Sequence, residues 1–318
     1  MTPNKDMRYI LISLSTVEPF VSKIDAVFAQ LTRFIHMLSR THPDVLAAQK
    51  LFCIPSVPSF DWQMYSEEIW KEFEIFVKQD PYAFGLSDWD SVHKGRVWQL
   101  TDVKIDIDVC AKEGQYRHLY RFGFGITIKL RKEIFQSLLP YGLLDLIDNL
   151  AVIINAFAGF IDYTAHLNHP LNSEMIDIAN FSIEDISHHF NDTAIGYFWR
   201  TLLTTGLIDK LGGMEYIKEH NPCAVLKLTS INDSEAVWIQ ATGDVLDMTA
   251  GARKKLRAFL EPVLPKPSIF KLADEIYYNR KCDLIVLTPD EKSQIKELKR
   301  LTHGELVRKT SQEVVRDR

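Results

Sequence analysis

Apolar and polar residues alternate in two pairs of segments along the chain, a pattern that predicts β-strands. The first pair is Arg96–Ala111 and His118–Leu130, joined by a turn-like segment at 112–115. The second pair is Ala224–Thr229 and Ala236–Ala241, joined across Asn232-Asp233-Ser234. We therefore predict two antiparallel hairpins, the first with one face in contact with solvent.

Other segments carry apolar residues at helical spacing or begin at a residue suited to an N-cap. These predicted helices are Glu18–Leu38, Tyr65–Lys78, Leu143–Phe160, a helix from Asn191-Asp192-Thr193 to about Leu211, and Met248–Leu260. The predicted helix Leu143–Phe160 contains too many Asp and Asn residues to span a bilayer, so we interpret it as a core helix. Arg8–Ser15 and Cys282–Leu287 are predicted strands, and Pro81–Gly95 is a predicted loop.

This mixture predicts an α+β fold in which antiparallel β-hairpins pack with long amphipathic helices. The chain has 318 residues. We expect a single domain over 1–287, with two lobes at about 1–135 and 136–287, followed by a helical tail over 288–318 that is charged on all sides.

Composition narrows the function classes. The hydrophobic fraction is 46% and the charged fraction 25%, which excludes disordered and low-complexity classes. The net charge of −5 argues against general binding to nucleic acid, which requires clustered Lys and Arg. Four cysteines without a CxxC pair and an N-terminus without a secretory signal indicate a reduced, cytoplasmic protein.

Charge is unevenly distributed along the chain. Residues 133–199 include nine acidic residues and no lysine or arginine, a formal charge of −9, so the remaining residues carry +4. One interpretation is a solvated acidic face that aids solubility. The alternative is a docking surface for a basic partner.

Motifs for catalysis are absent: there is no GxSxG elbow, P-loop or GxGxxG. The carboxylates of Asp102, Asp106 and Asp108 fit a solvated strand face. A metal-assisted hydrolase stays open as an alternative function, because His and carboxylate side chains bind zinc. Its candidate ligands are His166, His169, His188 and His189, with Asp162 or Asp192.

Three blocks of the second half resemble a bacterial family. They are Asn155–Phe160 with Gly159, the run Ile195–Gly213 with Gly196, Trp199, Leu211, Gly212 and Gly213, and Val237–Ala241 with Gln240. Their order and spacing are similar to those of the type VI secretion immunity family, formerly a domain of unknown function. In that family a Trp-containing helix ends in Leu-Gly-Gly, and the Gln-Ala strand is followed by Gly and Pro, whereas Thr242–Val245 here has no proline.

The resemblance implies stoichiometric binding and neutralisation of a cognate antibacterial effector toxin, without catalysis, cofactor or metal. The matching residues look structural, so we expect the toxin to bind elsewhere, on exposed acidic side chains. The candidates are Glu174, Asp177, Glu184, Asp185 and Asp192. The expected partner is basic on its binding face, as a nuclease is. No contact with nucleic acid or membrane is expected, and homo-oligomerisation is left open. A third hypothesis is a scaffolding protein whose tail, Asp290–Arg318, makes the contact.

Overall fold

The computed structural model describes residues 9–54, 63–79, 83–87, 102–109, 124–164, 193–194, 196–264, 268–278 and 287–316. The chain forms two compact units. The first comprises Met1–Leu171 and Thr229–Ala236, and the second Asn172–Leu228 and Val237–Arg318.

The first unit is an antiparallel sheet with helices. Its strands are β1 (Tyr9–Thr16), β2 (Lys50–Ile54), β3 (Gln63–Met64), β4 (Ala83–Ser87), β5 (Val103–Asp108), β6 (Phe124–Arg131) and β7 (Ala158–Thr164), in the order β3-β2-β4-β5-β6-β1-β7. Its helices are α1 (Ile24–Thr41), α2 (Pro43–Ala47), α3 (Glu67–Gln79), α4 (Lys132–Leu138) and α5 (Leu143–Ile153), with 3-10 turns at Val21–Lys23 and Leu139–Tyr141. The predicted α+β class is confirmed.

One face of this sheet is a continuous apolar surface. The register aligns one buried aliphatic residue from each of six neighbouring strands in a single row: Leu51, Leu86, Ile105, Ile128, Ile12 and Ile161. Helix α1 covers this face because its apolar residues recur at helical spacing. The Phe28 ring of α1 stacks on Phe84 of β4 at 5.2 Å, and Trp70 of α3 packs on Phe28 at 5.5 Å.

The opposite face of the sheet is buried at β1 and β7, and the prediction of a wet face on the first hairpin is wrong at Lys129. The pairing of β5 with β6 is antiparallel, as predicted. Lys129 of β6, however, is only 1% exposed. It shares a row with Leu11 and with Asp162 of β7, which is equally buried. Alternation in the sequence shows which residues share a face and does not show whether that face is covered.

Within its described residues, the second unit contains six helices, one whole strand and parts of two more, of which residues 229–236 belong to the first unit. The strands are β8 (Arg200–Thr204), β9 (Val225–Ile231) and β10 (Ser234–Gln240), in the order β8-β10-β9. The helices are α6 (Thr205–Lys210), α7 (Gly213–His220), α8 (Ala250–Leu260), α9 (Ile269–Tyr277), α10 (Pro289–Leu298) and α11 (His303–Arg316), with 3-10 turns at Val245–Asp247 and Glu261–Val263. Across the described residues, no helix has the length and apolar character that crossing a bilayer requires.

The second predicted hairpin is confirmed as β9 and β10. Asn232 and Asp233 form the two-residue turn with φ of 51° and 59°. Two successive left-handed residues make a type I′ turn, whose twist matches that of the flanking strands. Asn and Asp tolerate this conformation better than most residues with a β-carbon.

The core helix is shorter than predicted. We expected it over Leu143–Phe160, but α5 ends at Ile153 and β7 begins at Ala158. Asn155 adopts a left-handed φ of 53°, and the amide of Ala156 donates to the carbonyl of Ala151. Glycine usually occupies this position at the end of a helix. Because Asn155 occupies it here, the apolar run gave no signal that the helix ends.

The helix predicted from Asn191 to about Leu211 is also wrong. Residues 200–204 form strand β8, and the helix that follows, α6, begins only at Thr205. Four of the five β8 residues are buried. A strand buried on both faces shows no alternation and cannot be distinguished from a helix by its periodicity.

The predicted loop at Pro81–Gly95 contains strand β4. Gly85 lies within that strand. A β-carbon at this position would lie 2.1 Å from the carbonyl oxygen of Ile105, so the close approach of β4 to β5 requires glycine.

The charged C-terminal segment forms helices α10 and α11, which pack in the second unit through a few buried residues. Ile295 and Leu306 are buried. Arg257 of α8 donates two hydrogen bonds to Glu291 of α10, at 2.9 and 2.6 Å. The hydroxyl of Tyr277 donates to the carbonyl of Ile295 at 2.9 Å.

Candidate functional site

The residues predicted to bind a partner lie outside the described part of the chain. This holds for Glu174, Asp177, Glu184, Asp185 and Asp192, and also for the four histidines of the alternative metal site, His166, His169, His188 and His189. Their roles remain predictions.

Four acidic residues of the interval 133–199 are described, and they divide into two classes. Glu133 and Asp145 are exposed, whereas Asp148 and Asp162 are buried. The backbone amide of Tyr163 donates to Asp162 Oδ1 at 2.9 Å. Buried carboxylates cannot meet a partner at the surface, so the acidic surface available for docking is smaller than the sequence count suggests.

The three blocks that carry the family resemblance occupy structural positions. Gly159 lies in β7 opposite Leu14, and a β-carbon on Gly196 would lie 2.8 Å from the Phe198 ring. Gly212 and Gly213 adopt φ of 99° and 89°, the left-handed region that favours glycine. The side chain of Leu211, just before this glycine pair, is buried.

Trp199 and Gln240 meet at the turn that follows β10. The indole Nε1 of Trp199 donates to the carbonyl oxygen and to the hydroxyl oxygen of Thr242, both at 3.1 Å. Gln240 Nε2 donates to the carbonyls of Thr242 and Gly243. The amide of Ala241 donates to the carbonyl of Trp199 at 2.8 Å. Two residues recognised from their family pattern therefore fix one backbone turn.

Next to this turn, Arg200 and Trp238 form a buried cation–π pair that the sequence did not indicate. The guanidinium carbon of Arg200 lies 4.6 Å from the centroid of the Trp238 ring, and both side chains are buried. Within the described residues, the indole N–H of Trp238 has no hydrogen-bond acceptor. A fully buried arginine is rare. No pattern in the sequence around Arg200 predicted its burial.

The described cysteines are poor nucleophiles. Burial raises the pKa of both Cys53 and Cys223 to about 12. Since the thiolate is the reactive form, both thiols stay protonated at neutral pH. Among the residues that the structure describes, no three His, Cys, Asp or Glu side chains gather into a group that would hold a metal ion.

No protein-family model and no curated protein matches the chain. Among solved structures, it is similar to the Pseudomonas aeruginosa T6SS protein PA0821, with 15% sequence identity and a TM-score of 0.49. The similarity covers 81% of this chain and 76% of that one.

Proposed function

We propose that this protein is a cytoplasmic immunity protein, which binds a cognate antibacterial effector toxin of a type VI secretion system and neutralises it by forming a stoichiometric complex. The complex acts by occupying or distorting the active site of the toxin, and the immunity protein itself performs no catalysis.

The observation that carries the proposal is the separation of charge along the chain. Residues 133–199 hold nine acids and no base, while the rest of the chain is net positive. Two of these acids are buried, and five belong to the run 174–192. A dense set of carboxylates attracts a basic surface and raises the rate of association with it. A nuclease has such a surface where it binds phosphates, so a nuclease toxin is the partner that fits best.

The family resemblance supplies the biological class. Its residues lie at the turn after β10 and at the glycine pair before α7, where they maintain backbone conformation. Residues with this structural role support a shared fold. Specificity for one toxin would then depend on surface residues that differ between relatives. The protonated thiols of Cys53 and Cys223 are also consistent with a protein that binds without reacting.

The test is co-expression with the product of the neighbouring gene. We expect that product to arrest growth when it is expressed alone, and we expect growth to recover when the two proteins are made together. Purified together, they should elute as a complex with a fixed stoichiometry, measured by light scattering. Recovery of growth without a complex would contradict the proposal, because neutralisation would then require turnover. Near-stoichiometric zinc, manganese or iron in the purified protein would favour the hydrolase instead.

A further inference from the structure

Strand β9 presents an open edge. It is the outermost strand of the order β8-β10-β9, so it has a hydrogen-bonded strand on one side only within the described part of the chain. Two of its apolar side chains are unusually exposed, Val225 at 42% and Leu228 at 57%. An open edge with apolar side chains is a template for another strand.

The turn determines which backbone groups face outward. In a two-residue hairpin, the residues that flank the turn, here Ile231 and Ser234, form a hydrogen-bonded pair. Because bonded and non-bonded pairs alternate along an antiparallel ladder, every second residue of β9 directs its N–H and C=O away from β10. Leu226 and Leu228 are two of these residues.

The usual protections of an edge strand are few here. Natural proteins place proline, bulges or several charges on an exposed edge to prevent pairing. β9 contains no proline, and its only charged residue is Lys227. A strand of seven residues is also long enough to pair with an extended peptide along several residues.

Acidic residues outnumber lysines in the sequence around β9. Residues 211–247 contain six acidic residues and two lysines. Glu219 precedes the strand, while Asp233 and Glu235 follow it, and all three are exposed. We propose that β9 binds an extended segment of a partner protein, basic and apolar in composition, by adding it as a further strand at this edge.

This inference goes beyond the proposed function and does not depend on it. The residues of β9 are not among the acidic candidates at 174–192, and the partner need not be a toxin. The probe is therefore a synthetic heptapeptide of alternating valine and lysine with blocked ends. The control is the same peptide with alternate backbone amides N-methylated, which removes its hydrogen-bond donors along one edge.

Amide hydrogen exchange of the full chain, followed by NMR, measures the pairing directly. With the unmodified peptide at millimolar concentration, we expect exchange at Leu226 and Leu228 to slow by about tenfold or more, because outward amides gain an acceptor. The N-methylated peptide should leave both rates unchanged. Unchanged rates with the unmodified peptide would overturn the proposal. So would protection of these amides without peptide in a sample that sediments as a dimer, since a second copy would then occupy the edge.

Two substitutions separate backbone pairing from side-chain contact. Proline at an edge position whose N–H faces away from the sheet is tolerated by the hairpin and blocks an incoming strand. We expect Leu228→Pro to weaken peptide binding by about tenfold or more, and Leu228→Ala by about threefold or less. Equal losses would mean that only the leucine side chain matters, and the proposal would fail. Should circular dichroism show that the proline variant is unfolded, the exchange measurement on the unaltered chain decides.

Discussion

Two tryptophans with the same burial have different hydrogen-bonding roles. Trp199 and Trp238 are each 1% exposed. The indole N–H of Trp199 reaches two oxygens of Thr242, whereas that of Trp238 has no acceptor among the described residues and its ring instead contacts Arg200. A buried donor contributes to stability only when it is paired. The two residues therefore form a natural matched pair for measuring what the indole hydrogen bonds contribute.

We expect Trp199→Phe to lower the free energy of unfolding by about 1–2 kcal/mol more than Trp238→Phe does. Both changes remove the same atoms from a buried site, but only the first removes paired hydrogen bonds, those from the indole to the two oxygens of Thr242. Urea unfolding followed by circular dichroism gives the comparison. Equal losses would show that the indole hydrogen bonds do not hold this turn.

At the scale of elements, one ion pair anchors α10 to α8. Burial disfavours the charge of Glu291, but the hydrogen bonds from Arg257 and from the backbone of Thr288 outweigh it and lower the pKa of this carboxyl. Burial likewise opposes the charge of Arg257, and the carboxylate of Glu291 raises the pKa of this guanidinium. Glu291 also completes a capping box with Thr288 at the start of α10. The Glu291 side chain therefore caps the start of α10 and also attaches this helix to α8.

We expect Glu291→Gln to destabilise the protein by about 2 kcal/mol at pH 7, since glutamine keeps the cap but loses the charge opposite Arg257. The folded-state pKa of Glu291 is lower than that of the unfolded chain. The ion pair therefore contributes fully above the unfolded pKa and loses its contribution as the pH falls through the folded pKa. Thermal unfolding of the two proteins should converge in acid.

The control is Glu297→Gln on the same helix, at an exposed position. It should change the stability little at any pH. A difference between Glu291→Gln and the natural protein that stays constant down to pH 3 would contradict the role assigned to the charge.

Elements with one buried and one polar face were predictable, and uniformly buried ones were not. The β9–β10 hairpin follows from alternation and from Asn232-Asp233, and α1 follows from its apolar stripe. Strand β8 was missed because its neighbours bury it almost completely, and the end of α5 was missed because Asn155 takes the place of the usual glycine. For the site, the sequence identified Trp199 and Gln240 by resemblance, while the buried Arg200 depends on contacts that no local pattern encodes.

At the scale of the whole molecule, charge is distributed in a way that net charge conceals. A total of −5 combines an acidic stretch with an otherwise basic chain. The structure also shows that Asp148 and Asp162 are turned into the interior, which leaves the remaining acids as the source of any acidic docking surface. Attraction between exposed charges is screened by salt, so such a surface would be recognised by the ionic-strength dependence of binding.

Reversing charge inside and outside this stretch tests its role in the proposed complex. We expect Glu184→Lys combined with Asp185→Lys to weaken toxin binding by about tenfold or more at low salt, and to flatten its dependence on ionic strength. The control carries the same change in net charge at two exposed acids elsewhere, Asp209→Lys and Glu297→Lys. Titration calorimetry at several salt concentrations measures both. Equal behaviour of the two variants would exclude the stretch as the binding surface.

The docking of α10 and α11 limits what can be learned by truncating the protein. Truncating the chain before Thr288 would remove the Glu291 carboxylate that Arg257 binds. It would also remove the carbonyl of Ile295, to which the Tyr277 hydroxyl donates. It would also uncover the surfaces on which Ile295 and Leu306 now pack. If a shortened protein no longer bound its partner, the cause could be damage to the second unit just as well as loss of a binding contact. Whether these helices touch a partner is better asked by changing exposed side chains such as Lys292 and Lys299 while the helices remain in place.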